Sequence, residues 1–216
     1  MSSIALLFVG AVLLVNGLVF LGRVDAKAAI PVNLLVGALL VLTALVPAVT
    51  LSGPAPDFRS AAFGSVGFLL FGFTYLTVGA NSLFVGTGAA LGWYCGWASM
   101  IAAVLATVNF SGSADPLMAW LWAAWSALFL SFFLALVGGS PEAGQAAGTL
   151  AVLQSVTTAS VPGLLMIDGS WATTSVTLVA AVQIVAVLVC VGVAVMLRSR
   201  TPAPVRIPEA VRVPVG

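Results

Sequence analysis

Histidine is absent from this sequence, and charge is scarce: seven basic and six acidic residues in 216. Without histidine the chain lacks the side chain that ordinarily senses mildly acidic pH, and also the commonest metal ligand. A charged fraction of 6% against a hydrophobic fraction of 62% excludes a soluble domain, where about 25% of residues are charged. The net charge of +1 offers nothing to nucleic acid. Cysteine is limited to Cys95 and Cys190. Both sit inside apolar runs and read as small packing residues, not a disulfide. What remains is an integral membrane protein forming one compact bundle.

The few charges avoid the apolar runs. Asp25, Asp57, Asp115, Glu142, Asp168 and Glu209 all fall in connections or the tail, and no Lys or Arg occupies mid-span. Pumps and proton-coupled carriers keep an ionisable residue inside the membrane. Its absence argues against both, while sodium coupling through backbone carbonyls stays open. An enzyme is disfavoured on the same ground. With no histidine, no buried carboxylate and no cysteine pair, neither acid–base chemistry nor a metal or other cofactor is expected.

About 20 mostly apolar residues cross a bilayer. Seven stretches qualify: 4–22, 30–51, 61–83, 89–110, 116–138, 145–167 and 172–197. They predict an all-α, polytopic membrane helix bundle with seven transmembrane helices over residues 1–197. The connections GRVDAK, SGPAPDF, GSAD, GGSPEAG and IDGS are rich in turn formers. No basic residue precedes the first run, which therefore reads as a permanent helix and not a signal peptide. With the N-terminus outside, Arg23, Lys27, Arg198, Arg200, Arg206 and Arg212 lie inside and only Arg59 outside. That is the bias of cytoplasmic loops. The tail 198–216 carries four prolines and four arginines and reads as disordered on the cytoplasmic side. LLFVGAVLLVNGLVFLG (6–22) and LLFGFTYLTVGANSLFVG (69–86) share an LLF opening, a late Asn and a closing Gly. This suggests repeated two-helix hairpins with the odd-numbered helices in equivalent places.

Uncharged polar residues do enter the spans: Asn16, Asn33, Thr74, Tyr75, Asn81, Gln154, Thr157 and Gln183. Hydrogen bonding between helices is their ordinary role, and it is the preferred one for Asn33 and Gln183. The stretch MAWLWAAWSALFL (118–130) is the other anomaly. Tryptophan usually marks the headgroup level, yet Phe129 lies 14 residues beyond Asp115, roughly 21 Å along a helix. Trp122, Trp125 and Phe129 share one helix face, and Trp120 points elsewhere. An interfacial belt remains open for Trp120 and Trp122, and core packing for Trp125 and Phe129. Trp93, Tyr94 and Trp97 read as belt residues.

Four segments in order resemble the AmiS/UreI family of small bacterial urea and amide channels. They are LLFVGAVLLVNGLVFLGRVDAK (6–27), NLLVGALL from Asn33, GFLLFGFTYL (67–76) with Asn81 beyond it, and the tryptophan stretch. The resemblance covers about residues 1–167. It implies a passive pore in each protomer of a homohexamer in the bacterial inner membrane, with lipid filling the ring centre. It also implies a substrate path past Leu6, Val9, Leu13 and Asn16 of the first helix, and Phe71 and Tyr75 of the third. Trp122, Trp125, Leu128 and Phe129 of the fifth helix and Gln154 of the sixth complete that path. In the acid-gated urea channels the positions of Phe129 and Met118 carry tryptophan, and that of Gln154 carries glutamate. Those members sense acid through periplasmic histidines and carboxylates. With no histidine and a short outer connection at 53–60, acid gating is not expected here. The seventh span, 172–197, lies beyond the six of the urea channel.

Urea and short amides are flat, neutral and small. Stripping an amide of water without compensation costs roughly 2–7 kcal/mol. Tyr75, Asn16 and Gln154 could offset part of that, and ring faces accept N–H groups weakly. An unpaired ion in such a slot fares much worse. The expected function is therefore an ungated channel for short aliphatic amides, urea also permeating, with Trp122, Trp125 and Phe129 forming one wall. An ion-coupled amide carrier and a membrane scaffold subunit remain the alternatives.

Overall fold

The computed structural model describes residues 3–50, 56–111 and 115–200, with backbone alone at 47–50, 56–61 and 85. The tail 201–216, with Arg206 and Arg212, lies outside the described residues. So do residues 53–55 of the connection at 53–60 and the side chain of Arg59, while 56–60 of it already form the start of a helix. Among the described residues all regular structure is helical. The helices are α1 (Ser3–Phe20), α2 (Ile30–Thr50), α3 (Pro56–Ala80), α4 (Ala89–Ser111), α5 (Pro116–Gly138), α6 (Pro141–Gln154), α7 (Val161–Asp168) and α8 (Val176–Arg200). A wide π turn, Asn81–Val85, extends α3. A π segment, Ser155–Ser160, joins α6 to α7, and a short 3₁₀ turn at Trp171–Thr173 precedes α8.

Six described helices, not seven, are long and apolar enough to cross a membrane. The difference is the second span, expected at 30–51. Its side chains are described only over Ile30–Val46, while the helix itself runs Ile30–Thr50, a rise of about 31 Å against a core of roughly 30 Å. The sixth span also differs from 145–167. It runs unbroken from Pro141 to Asp168. GGSPEAG is thus not wholly a connection. Ser140 caps α6 by accepting from the Ala143 N–H at 3.2 Å, Pro141 sits in the first turn, and Glu142 follows at the positive end of the helix dipole. Asp115 caps α5 in the same way, accepting from the Met118 N–H at 3.0 Å, and Gly139 at φ 65° stops it.

The π segment has a local cause. Proline has no N–H, and its ring collides with the carbonyl four residues back. Pro162 would meet Thr158 in that way. Widening the turns over Ser155–Ser160 lets the span continue past it. The Ser160 hydroxyl donates to the Ser155 carbonyl at 2.8 Å, satisfying one group within the widened stretch.

The two closest helix pairs are α2 with α3 and α4 with α5. α1 closes the arrangement against α6, the π segment and α7. Small residues permit the close approach. A Cβ built on Gly17 would lie 3.0 Å from the Gly148 carbonyl oxygen, and one on Gly148 would lie 2.9 Å from that of Gly17. Gly37 and Gly72 repeat this contact between α2 and α3. Between α4 and α5 a reciprocal serine pair takes its place, each of Ser99 and Ser126 donating to the other's carbonyl at 2.9 Å. α8 lies outside this set, against α5 and α6. It is fastened where Gln183 donates to the Thr157 carbonyl at 3.2 Å.

Candidate transport site

Three odd-numbered helices each send a stripe of side chains, spaced three and four apart, toward a common interior. The stripe of α1 is Leu6, Val9, Leu13 and Asn16. That of α3 is Phe71, Tyr75 and Val78, continued by Ser82, and that of α5 runs Trp122, Trp125, Phe129, Phe132 and Leu136. At the end of the bundle where α1 finishes, these stripes enclose a cavity of about 150 Å³. Leu13, Asn16, Tyr75, Val78, Phe132 and Leu136 line it, with Leu91 and Cys95 contributed by α4. Its polar lining is uncharged: Asn16, Thr74, Tyr75, Asn81 and Ser82.

Tyr75 connects the cavity to an aromatic cluster. Its ring stacks on Phe71 with centroids 6.1 Å apart. Phe71 in turn meets Trp125 edge-on at 5.0 Å and Phe129 at 5.2 Å, and lies 6.2 Å from Trp122. Trp122 and Trp125 are themselves edge-to-face at 4.8 Å. The five side chains are buried, and Trp125 is wholly so. These offset and edge-on arrangements are the ones that ring quadrupoles favour. Trp120 points away from the cluster and packs edge-on against Phe110. Trp93 and Trp97 face outward.

Hydrogen bonds hold this interior. The Trp125 indole N–H donates to the Thr158 hydroxyl at 2.9 Å, and that hydroxyl donates to the Gln154 carbonyl at 2.6 Å. The Gln154 side-chain amide donates to the Ala124 carbonyl at 3.0 Å. Asn16 and Asn33 form a reciprocal amide pair with both bonds at 2.8 Å, and Asn33 also donates to the Ala29 carbonyl at 2.9 Å. Two buried polar atoms here, the Tyr75 hydroxyl and Gln154 Oε1, have no partner among the described residues. Buried polar groups are nearly always bonded, and of these two residues Tyr75 lines the cavity.

Of the residues named from the sequence, Phe71, Tyr75, Trp122, Trp125 and Phe129 come together as one cluster, and Leu13, Asn16 and Tyr75 line the cavity. Leu6 and Val9 lie on the same α1 stripe, about 10 and 6 Å beyond Leu13 along the axis, buried in the core. Leu128 is buried in the core beside the α5 stripe. Gln154 is braced against α5. Asn33 takes the inter-helix role expected of it, with Asn16 as its partner. Sequence reasoning missed Thr158, which no pattern singles out. It also missed Phe132 and Leu136, although extending the Trp122–Trp125–Phe129 spacing by one turn finds both. Among the described residues no group of His, Cys, Asp or Glu could hold a metal ion.

Residues 1–170 match the AmiS/UreI family transporter profile. A Rhodococcus erythropolis protein provisionally named as the transporter AmiS2 is 40% identical over 199 residues, 92% of this chain and 94% of that one. A Mycolicibacterium smegmatis protein provisionally named a transporter of amidate substrates is 37% identical over 173 residues, 80% of this chain and 79% of that one. The crystal structure of the Helicobacter pylori urea channel superposes with a TM-score of 0.67 at 30% identity, covering 79% of this chain and 99% of that one. This chain is a member of the AmiS/UreI family of membrane transporters.

Proposed function

We propose that the protein is a passive channel for short aliphatic amides, with urea also permeant, and that it opens without an acid signal. The observation that carries this reading is the uncharged cavity of about 150 Å³ ending on the aromatic cluster of Phe71, Tyr75, Trp122, Trp125 and Phe129. A liquid-like share of about 30 Å³ per water gives that cavity room for one or two small amides. The unpartnered Tyr75 hydroxyl and Gln154 Oε1 offset part of the solute's lost hydration, and ions find no countercharge. Relatives named for amidate transport and for acid-activated urea conduction support the solute class. On the side assignment from the basic residues, the cavity opens toward the cytoplasm and the aromatic cluster lies deeper. The assembly proposed is a homohexamer with one path per protomer and membrane lipid at its centre.

Stopped-flow uptake of urea and acetamide into proteoliposomes at pH 5 and pH 7.5 tests this. Downhill, non-saturating flux of both solutes at similar rates is the expected result. Accumulation that an uncoupler abolishes would replace the channel with a coupled carrier. Folded protein giving no flux above empty liposomes would leave a scaffold role.

A further inference from the structure

Trp125 is wholly buried, and its indole has a single donor, which goes to the Thr158 hydroxyl at 2.9 Å. That hydroxyl has one hydrogen, which goes to the Gln154 carbonyl at 2.6 Å. The direction of the chain is therefore fixed: indole to hydroxyl to carbonyl. One residue earlier on α5, the Ala124 carbonyl accepts from the Gln154 side chain at 3.0 Å. A single short stretch of the sixth span thus holds both the backbone of α5 at position 124 and the tip of the ring at 125.

The holding element is not an ordinary helix turn. Thr158 lies inside the π segment Ser155–Ser160, packed against α1. The Gln154 carbonyl that receives its hydroxyl is at the entrance to that segment. Trp125 stands edge-on to both Phe71 and Trp122, at 80° and 83° between planes. A rotation of its ring would alter both contacts together.

We propose that Thr158 is a positioning residue for the aromatic constriction: its hydroxyl fixes the Trp125 indole, and so sets the width of solute that passes. The proposal rests on the channel reading for its consequence in transport, and on geometry alone for the ring's orientation. Among the described residues the Thr158 hydroxyl is the hydrogen-bond partner of the indole, and it adds a directional hold to the edge-on packing of Phe71 and Trp122. The solute class is set by the uncharged lining. Thr158 sets the discrimination within that class, admitting acetamide and turning back a branched amide such as isobutyramide.

Thr158→Val keeps the shape and removes the hydroxyl. The acetamide-to-isobutyramide flux ratio in proteoliposomes should fall severalfold, because a ring no longer held at its tip can turn aside for the wider solute. Thr158→Ser should restore it. Trp125→Phe has no N–H to lose. Adding Thr158→Val to that background should change the ratio no further, whereas a purely structural role for Thr158 would add its effect in both backgrounds. A ratio unchanged in Thr158→Val, or an additive effect in the cycle, overturns the proposal. If the valine variant does not fold, Thr158→Ala enters the same cycle. Resonance Raman of the indole N–H in detergent-solubilised protein reads the bond directly. One tryptophan should shift to the unbonded position in Thr158→Val, and no shift overturns the proposal. If the unmodified protein passes no amide, the channel reading fails while this spectroscopic arm still decides the role of Thr158.

Discussion

Phe71 touches four other rings, and no other side chain of the site does so. It is 1% exposed, so its removal leaves a void that the neighbouring rings cannot fill without turning. Phe71→Ala is expected to cost about 3–5 kcal/mol of stability, read as a lower unfolding midpoint in detergent. It should also pass small ions and lose discrimination among amides. Ion exclusion preserved at normal amide flux would remove Phe71 from the constriction. Asn33→Leu makes a second residue-level case. Asn16 would lose both of its bonds to Asn33, at an expected cost of about 1–2 kcal/mol for amide pairing within a membrane. A thermal-shift measurement showing no loss would contradict the buried pairing. Trp122, Trp125 and Phe129 could be singled out in the sequence because aromatic rings so far from an interface need a reason and share one helix face, whereas Phe71 and Tyr75 were named by the family resemblance. Thr158 was not legible. A threonine in an apolar helix ordinarily bonds its own backbone, as Thr74 does with the Leu70 carbonyl, and only the fold brings an indole within reach.

At the scale of the element, the close pairs depend on positions where no side chain fits. A Cβ at Gly17 would also lie 2.8 Å from Val152, with backbone of Gly148 on the other side. Gly17→Val should therefore force α1 from α6. The expected result is loss of folded protein in size-exclusion profiles, while Gly64→Ala, with open space around it, should be tolerated. Equal yields of folded protein from the two would mean that the α1–α6 crossing is loose. Helix existence was readable because an apolar run of the right length has few other options in a bilayer. Caps were readable in principle, since Ser140-Pro141-Glu142 is a helix start. The π segment was not, because widening a turn changes no composition and leaves the apolar pattern nearly intact. The partner choice of each helix was equally hidden. Lipid-facing and helix-facing apolar surfaces look alike in sequence, as the exposed Leu35, Leu42 and Leu188 beside the buried Leu6 and Leu40 demonstrate.

Taken as a whole molecule, the protein separates its charges from its interior. The cavity lining contains no carboxylate, lysine, arginine or histidine. Glu142 sits in the first turn of α6, Asp168 ends α7, Asp115 caps α5, and Asp25 lies in the connection after α1, where its carboxylate accepts from the Lys27 N–H at 2.8 Å, so none of these four lines the cavity. Gln154 occupies the interior as an amide, which bonds the Ala124 carbonyl in one protonation state at all pH values. A conductance switched by acid needs a group that changes charge between about pH 5 and 8, and histidine is the side chain that ordinarily does so. None of the 216 residues is histidine. Amide flux per folded protein should therefore stay within about twofold across that range. Proteoliposomes measured at half-unit steps from pH 5 to 8 would establish it. A steep rise on acidification would require a titrating group in the path, and Gln154→Glu provides the matching positive control. A carboxylate placed there would be charged when ionised and neutral once protonated. Its variant should then be least permeable at the alkaline end, where the charge is present, and recover as pH falls.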